Sequence, residues 1–329
     1  MAPSKGTKGV SLSSVSLLYS PMVTVRVGSG RQEFCIHKKI LCSNSTYFDK
    51  ALSGQFVEAQ TRVVELEDIH PLLFKIFVAW LYSGRLTYES SDPSTSSRVE
   101  FSELNAALNK EYPCEEDEDE EEDEKDDGDK KDELADFQEE DSRTWSYLIL
   151  TGLFILGDRL DAPRLKRSIL DTIVKKINQT RKVPFGTVVI YAYANTPKKS
   201  PLRQLLVHIF AYEKSFSRSP KNSKLKYLPA EFLAAVMIRM GRRLPFRQCD
   251  SCYERALDAN KLTSEDIDDV HKEEDQAPYD HNLCFYHEHK DEEEKNACQA
   301  AREEESDTDS SFDMSSDTSS DVSDISSGT

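Results

Sequence analysis

The chain has 329 residues, seven cysteines and a formal net charge of −18. The negative charge is concentrated: residues 115–141 hold 19 acids and 3 lysines, residues 302–329 hold 9 acids and 1 arginine, and everything else carries +6. Such runs exclude a packed core within themselves and argue against direct nucleic-acid binding. The longest apolar run, 148–156, is too short to span a bilayer, and no secretory signal is seen. We therefore expect reduced cysteines and an intracellular protein of cytoplasm or nucleus.

The densest patterning lies in residues 23–86. A hairpin is predicted by two alternating apolar runs on either side of a glycine turn: Val23, Val25 and Val27, then Gly28-Ser29-Gly30, then Phe34 and Ile36. Two short helices and a third strand follow. A longer helix is predicted to begin at Pro71, with His70 or Asp68 as its cap, and to end at Gly84. The stretch is therefore predicted to be an α+β unit.

In order and spacing, these motifs resemble the BTB/POZ domain, an α+β interaction fold with a three-stranded sheet and a helical cluster. The resemblance is carried by His37-Lys38, Ile40-Leu41, Ser45-x-Tyr47-Phe48, Val63-Val64-Glu65-Leu66 and Phe77-x-x-Trp80-Leu81-Tyr82-Ser83-Gly84-x-Leu86. Downstream segments look like those of filamentous-fungal proteins built on this domain. The family implies a homodimer through the domain. Many members line a groove of that dimer with an Asp before the first strand, where this chain has Pro21 and Met22.

Composition and periodicity divide the chain into five segments. They are a disordered lead-in (1–20), a BTB/POZ domain (21–180), a helical extension (181–257), a polar Cys/His segment (258–301) and an acidic disordered tail (302–329). The domain is interrupted by a loop at 87–143 that contains the acidic run 115–141, with one or two helical turns expected at 101–108. Its last helix pair, at 145–177, is similar to the closing helices of the family. The extension shows three helical patterns, at 188–194, 202–212 and 229–240.

Phe56-Val57-Glu58 follows the second short helix. In family members that recruit a cullin, a hydrophobic-x-Glu element occupies this loop and packs against the first helices of the cullin. The resemblance therefore implies that Phe56, Val57 and Glu58 bind a partner. The alternative is an exposed loop with one buried phenylalanine.

Cysteines and histidines recur near the C-terminus. Cys249-x-x-Cys252 has a spacing that lets two thiolates share a metal, and further candidate ligands lie downstream at His281, Cys284, His287, His289 and Cys298. Four such ligands in a tetrahedron suit zinc. The preferred set is Cys249, Cys252, Cys284 and His287, with His289 and Cys298 as substitutes. The alternative is a Cys/His-rich surface segment without metal.

No nucleophile–base constellation and no phosphate-binding glycine loop are seen in the sequence, which predicts that the protein is not an enzyme. The main hypothesis is a protein-interaction module that self-associates or serves as a substrate adaptor or scaffold for a cullin ubiquitin ligase. An adaptor needs a second recognition domain, and no MATH, Kelch or zinc-finger-array pattern is visible, which weakens that role. One alternative is a chromatin-linked scaffold whose acidic tracts hold basic partners such as histones. Another is a zinc-binding regulatory module at 249–298.

Overall fold

A computed structural model describes residues 18–90, 96–113, 136–180, 182–184, 186–213, 222–241 and 277–309. The chain divides into two compact units, Met1–Tyr286 and His287–Thr329. Cys249 and Cys252, most of the acidic insertion and the last twenty residues lie outside the described residues.

The sheet has three strands, β1 (Met22–Val27), β2 (Gln32–His37) and β3 (Val63–Leu66). β1 lies in the middle, antiparallel to β2 and parallel to β3. The alternating valines of β1 all point into the core with at most 1% of their surface exposed: Val23, Val25 and Val27. The predicted hairpin and its turn are therefore confirmed.

The hairpin turn needs glycine at its first position. Gly28 has a φ of 73°, a conformation that L side chains rarely adopt. A Cβ there would also lie 3.0 Å from Cγ of Pro71. The turn thus rests on the start of the long helix, which fixes how the sheet and that helix meet.

Four helices complete the first half: α1 (Lys38–Asn44), α2 (Thr46–Ser53), α3 (Val57–Thr61) and α4 (Pro71–Ser83). As predicted, His70 caps α4, with Nδ1 accepting from the Leu72 amide at 3.2 Å, and Gly84 ends it with a φ of 70°. One element differs from the prediction: residues 57–61, expected to be loop, form α3.

The expected loop at 87–143 contains a fifteen-residue helix, α5 (Ser97–Glu111), longer than the one or two turns predicted at 101–108. The reason is a helical stripe that buries Phe101, Leu104 and Leu108 against the core.

The last residues of the acidic run also pack on the core. The rings of Phe137 and Phe101 lie 4.7 Å apart. The Gln138 carbonyl accepts from Nε1 of Trp145 at 3.0 Å, and the Glu139 carbonyl accepts from the Tyr88 amide at 3.0 Å. The sequence predicted that this run buries nothing. That prediction is wrong for Phe137, an aromatic residue among the acids, which packs against the core.

After a 3-10 turn at Ser142–Thr144, two helices follow, α6 (Tyr147–Arg159) and α7 (Pro163–Thr180). All residues of α6 from Tyr147 to Gly157 are buried, so it is the central helix of this unit. On α7 the predicted stripe is buried as expected: Leu165, Ile169, Ile173 and Ile177.

The helical extension comprises α8 (Thr187–Asn195), α9 (Pro201–Glu213), a 3-10 turn (Asn222–Tyr227) and α10 (Ala230–Gly241), within two residues of the predicted bounds. α11 (Pro278–His281) and a 3-10 turn (Leu283–Tyr286) follow. The segment expected to be polar buries Tyr279 and Tyr286 here, because apolar and aromatic residues lie among its charges.

The second unit contains α12 (Glu292–Asp309). Residues 302–309, expected to belong to a disordered tail, are helical because they continue α12. At the other end of the chain, Ser20, expected in the lead-in, is buried, and its Oγ accepts from the Lys39 amide at 3.1 Å. The predicted class is confirmed: an α+β arrangement with a three-stranded sheet and a helical cluster, followed by a helical extension.

Candidate functional site

The partner-binding residues predicted from the sequence lie on the surface. Phe56 and Val57 expose 61% and 68% of their area, and Glu58 is half-buried. The interpretation with one buried phenylalanine is therefore wrong. An exposed aromatic side chain is a candidate anchor for an interface.

The segment that presents these residues is held at both ends. Before it, the Gly54 amide donates to the Lys50 carbonyl at 3.2 Å, closing α2. After it, Arg62 takes a left-handed φ of 57° and donates its amide to the Glu58 carbonyl at 2.8 Å. The Arg62 carbonyl then accepts from the Thr24 amide of the central strand at 2.9 Å. α3 is thus tied to the sheet.

Gly54 supports the Phe56 ring. A Cβ on Gly54 would lie 3.0 Å from Cδ2 of that ring and 2.9 Å from the Lys50 carbonyl oxygen. The ring therefore lies close over the glycine backbone, and the rest of it faces outward. Because glycine has no Cβ, the Phe56 ring can lie against the backbone at this position.

Tyr47, which is 38% exposed on α2, lies close to this segment. Partial burial raises the pKa of its phenol, and the nearby Glu58 carboxylate raises it further. Next to it, the Arg159 guanidinium donates to the Asp68 carboxylate and so holds the pKa of Asp68 below its ordinary value. We name Tyr47, Phe56, Val57 and Glu58 the contact face. It combines apolar area with a carboxylate, so a partner that fits it offers an apolar groove and a basic group.

A buried joint connects the contact face to the helices that follow the acidic run. Ser45 is 2% exposed. Its Oγ donates to the Leu160 carbonyl at 2.5 Å and accepts from the Phe48 amide at 3.2 Å, as the N-cap of α2. The Thr46 amide donates to the Asp161 carbonyl at 3.1 Å, and the two side chains also bond. We call these contacts the Ser45 joint.

Two further exposed apolar positions lie on the first half. Tyr82, on the last turn of α4, is 45% exposed, and its hydroxyl lies 2.8 Å from Nδ1 of His37, the residue that opens α1. Met22, which stands near the position of the family's Asp, is 44% exposed at the start of β1, and Tyr19 just before it is 85% exposed.

The predicted metal ligands are divided. Cys249 and Cys252 lie outside the described residues, and Cys284 is buried in the last 3-10 turn of the first unit. His287 lies in the second unit, together with the two substitutes named from the sequence, His289 and Cys298. The ligand atoms of these three residues all lie within 4.8 Å of one another.

Comparison with known proteins agrees with this fold. Residues 20–103 match the model of the BTB/POZ domain. Kelch-like protein 30 of Mus musculus is 36% identical over 76 residues, which is 23% of this chain and 13% of that protein. Kelch-like protein 30 of Homo sapiens is also 36% identical, over 77 residues and the same shares. The chain thus spans about an eighth of the length of these relatives.

The fold and the family match support a protein-interaction module of the α+β class. The chain contains a BTB/POZ domain at residues 20–103. Among the described residues, no helix is long and apolar enough to cross a membrane.

The sequence did not reveal two features of this site. The helix α3 is too short for a periodic signal. It ends at Arg62, which takes the left-handed conformation where a glycine would have predicted a helix end. The Ser45 joint links residues 115 positions apart in the chain. The motif Ser45-x-Tyr47-Phe48 indicated the start of a helix. It did not predict that the serine hydroxyl donates to the Leu160 carbonyl.

Proposed function

We propose that this chain is an adaptor or scaffold that binds a cullin through the contact face, with Phe56 as the central anchor. The observation that carries the proposal is the exposure of Phe56, the N-cap of α3, and of Val57, its first residue, in a segment held at both ends. Neither side chain serves the core, so their apolar character has no evident use within this chain. A helical partner with an apolar groove would bury them.

Burying an aromatic side chain of this kind stabilises a complex by about 2 kcal/mol or more at a well-packed centre. Glu58 would add a charge contact that fixes register more than affinity. The match of residues 20–103 to the BTB/POZ domain model includes this region, which supports the proposal.

The test is a binding measurement between the full chain and the N-terminal helices of a cullin. Phe56→Ala should weaken binding by about 30-fold, the equivalent of about 2 kcal/mol, and Glu58→Ala by less. Val99→Ala is a matched control, because Val99 is 47% exposed on α5 and lies outside the contact face. It should leave the dissociation constant unchanged.

Equal binding by the parent chain and Phe56→Ala would remove the contact face from the proposal. Affinity purification from the native cell would then decide the partner class. Recovery of a cullin with its RING partner supports a ligase scaffold, whereas recovery of histones without a cullin supports the chromatin-linked alternative.

We also infer that the domain extends to about residue 180 and is split by the acidic run. The family model ends at residue 103, yet the Ser45 joint binds Leu160 and Asp161 to the start of α2. The likeness of the downstream segments supports the filamentous-fungal type. Limited proteolysis within 114–135 should leave the two fragments associated; their separation would contradict a split domain.

We propose, finally, that the domain self-associates through the exposed Tyr19 and Met22 beside β1. Exposed apolar residues next to a sheet are a frequent interface between copies. Light scattering should give a dimer mass for the parent chain and a monomer mass for Tyr19→Ser with Met22→Lys. A monomeric parent chain would contradict this.

A further inference from the structure

The second unit gathers three metal-ligating side chains in a small space. Nδ1 of His287 lies 3.4 Å from Sγ of Cys298. The ring of His289 lies 5.5 Å from that of His287, centroid to centroid. Each of the three residues offers a ligand atom within 4.8 Å of the other two. His287 is 9% exposed, and the other two are half-buried.

One of these separations, that between His287 Nδ1 and Cys298 Sγ, matches two ligands of one zinc ion. With Zn–S near 2.3 Å, Zn–N near 2.05 Å and tetrahedral angles, the sulfur and nitrogen ligands of one ion lie about 3.6 Å apart. The observed 3.4 Å is close to this value. A thiol–imidazole hydrogen bond would also explain that distance, but it would not explain why a second imidazole lies within reach of both atoms.

The local fold holds the three residues in place. Asp291 caps α12, its Oδ1 accepting from the Glu294 amide at 2.8 Å. The Glu294 carboxylate in turn accepts from the Lys290 amide at 2.9 Å. This reciprocal cap fixes the direction in which the chain leaves His289. Cys298 lies one turn beyond Glu294, on the same face of the helix.

The charge and the chemistry of the donors favour a borderline-soft divalent cation. Residues 287–309 contain ten acidic and three basic side chains, a field that attracts cations. One thiolate and two imidazoles are ligands that zinc accepts, whereas magnesium and calcium prefer oxygen.

We propose that His287, His289 and Cys298 bind one zinc ion. This set keeps only His287 of the four ligands preferred from the sequence. The role that follows is structural: the ion would tie the extended segment 287–289 to α12, in a unit too small to build a large core of its own.

The test uses the full chain purified without chelator. Metal analysis should give one zinc per chain for the parent and for Cys35→Ser, a control cysteine that is exposed on β2. After exchange for cobalt, the parent should show a thiolate-to-metal charge-transfer band and the intense visible bands of a tetrahedral site. Cys298→Ser should lose the charge-transfer band. His289→Asn should weaken zinc binding by more than about 100-fold in chelator competition, since even outer-shell partners are worth about 10–100-fold.

Substoichiometric zinc in the parent chain overturns the proposal, as does a cobalt spectrum that Cys298→Ser leaves unchanged. Loss of the metal from Cys249→Ser with Cys252→Ser, but not from Cys298→Ser, would assign the ion to a different site and equally overturn it. Because Cys298→Ser could disturb folding, Cys298→His is the second variant. It should restore zinc binding while the charge-transfer band stays absent. A Cys298→His variant that keeps the melting profile of the parent chain but binds no zinc overturns the proposal.

Discussion

The first half of the first unit, which precedes the acidic run, exposes large apolar side chains that helices α6 to α9 of the second half do not. In the half that precedes the acidic run, Met22, Tyr47, Phe56, Val57 and Tyr82 are each at least 38% exposed. In the described residues 147–180 and 186–213, no large hydrophobic residue is exposed to that degree. Farther along the second half, Met237, Ile238 and Phe285 are again 71%, 60% and 48% exposed. Helices α6 to α9 therefore support the core, and the exposed apolar positions of the first half are candidate contact surfaces.

If the second half supports the first, the two halves should unfold as one cooperative structure. Phe77 on α4 and Phe154 on α6 are both fully buried. Replacing either with alanine should lower the free energy of unfolding by about 3–5 kcal/mol through lost burial and a residual cavity. Chemical denaturation should show a single transition for this unit, shifted by both variants. Two transitions, each sensitive to only one variant, would show that the halves fold separately.

The second half also contains a pH-sensitive position. His208 on α9 is 6% exposed, and its Nδ1 lies 2.7 Å from the Tyr286 hydroxyl. Burial, with a smaller contribution from Arg239, lowers the pKa of His208 from 6.5 to about 4. Above pH 6.5 the imidazole is neutral in both states, but between pH 6.5 and 4 the unfolded chain takes up a proton that the folded chain resists.

The free energy of unfolding should therefore fall as the pH drops from 6.5 to about 4, by at most about 1.4 kcal/mol per pH unit from this group. Below about pH 4 the contribution levels off. His208→Gln should show a smaller slope in that window than the parent chain, in denaturation curves taken at several pH values. Equal slopes would mean that His208 does not resist protonation.

The Ser45 joint connects the two halves directly. Ser45→Ala removes both the N-cap of α2 and the donor to the Leu160 carbonyl, which is left without this partner in a buried place. The expected loss is about 1–3 kcal/mol in the free energy of unfolding. Ser43→Ala is the control: Ser43 is exposed, and its Oγ bonds locally, donating to the Ile40 carbonyl at 3.0 Å and accepting from the Asn44 side-chain amide at 3.3 Å. If both variants lose the same small amount, the joint does not couple the halves.

The sequence predicted those elements whose hydrophobic pattern is complete within one short segment. The β1–β2 hairpin and helices α7 to α10 have periods of 2 and 3.6 residues that are complete within each segment, and they lie where the pattern placed them. α3 has five residues, fewer than a helical pattern needs, and it forms because Arg62 and the sheet hold it. Phe137 looked like one aromatic residue in an acidic run, and only its distant partner Phe101 makes it part of the core.

The candidate sites show the same limit. The resemblance located Phe56, Val57 and Glu58, but whether the phenylalanine is buried depended on how Gly54 lets its ring lie. In the second unit the sequence supplied all three clustered ligands. It did not rank His289 and Cys298 above the Cys249 pair. The turn before α12 brings them close to His287, and the spacing of residues in the sequence does not predict that turn.

Phe56 tests whether the contact face serves a partner or the fold. If the contact face serves a partner and not the fold, Phe56→Ala should change the free energy of unfolding by no more than about 0.5 kcal/mol, because 61% of the side chain is already exposed. Gly54→Ala should cost more, since its Cβ would lie 2.9 Å from the Lys50 carbonyl oxygen. Thermal and chemical denaturation of the two variants measure this. A loss of several kcal/mol in Phe56→Ala would mean that the ring stabilises α3 against α2, and the argument from exposure to partner binding would fail with it.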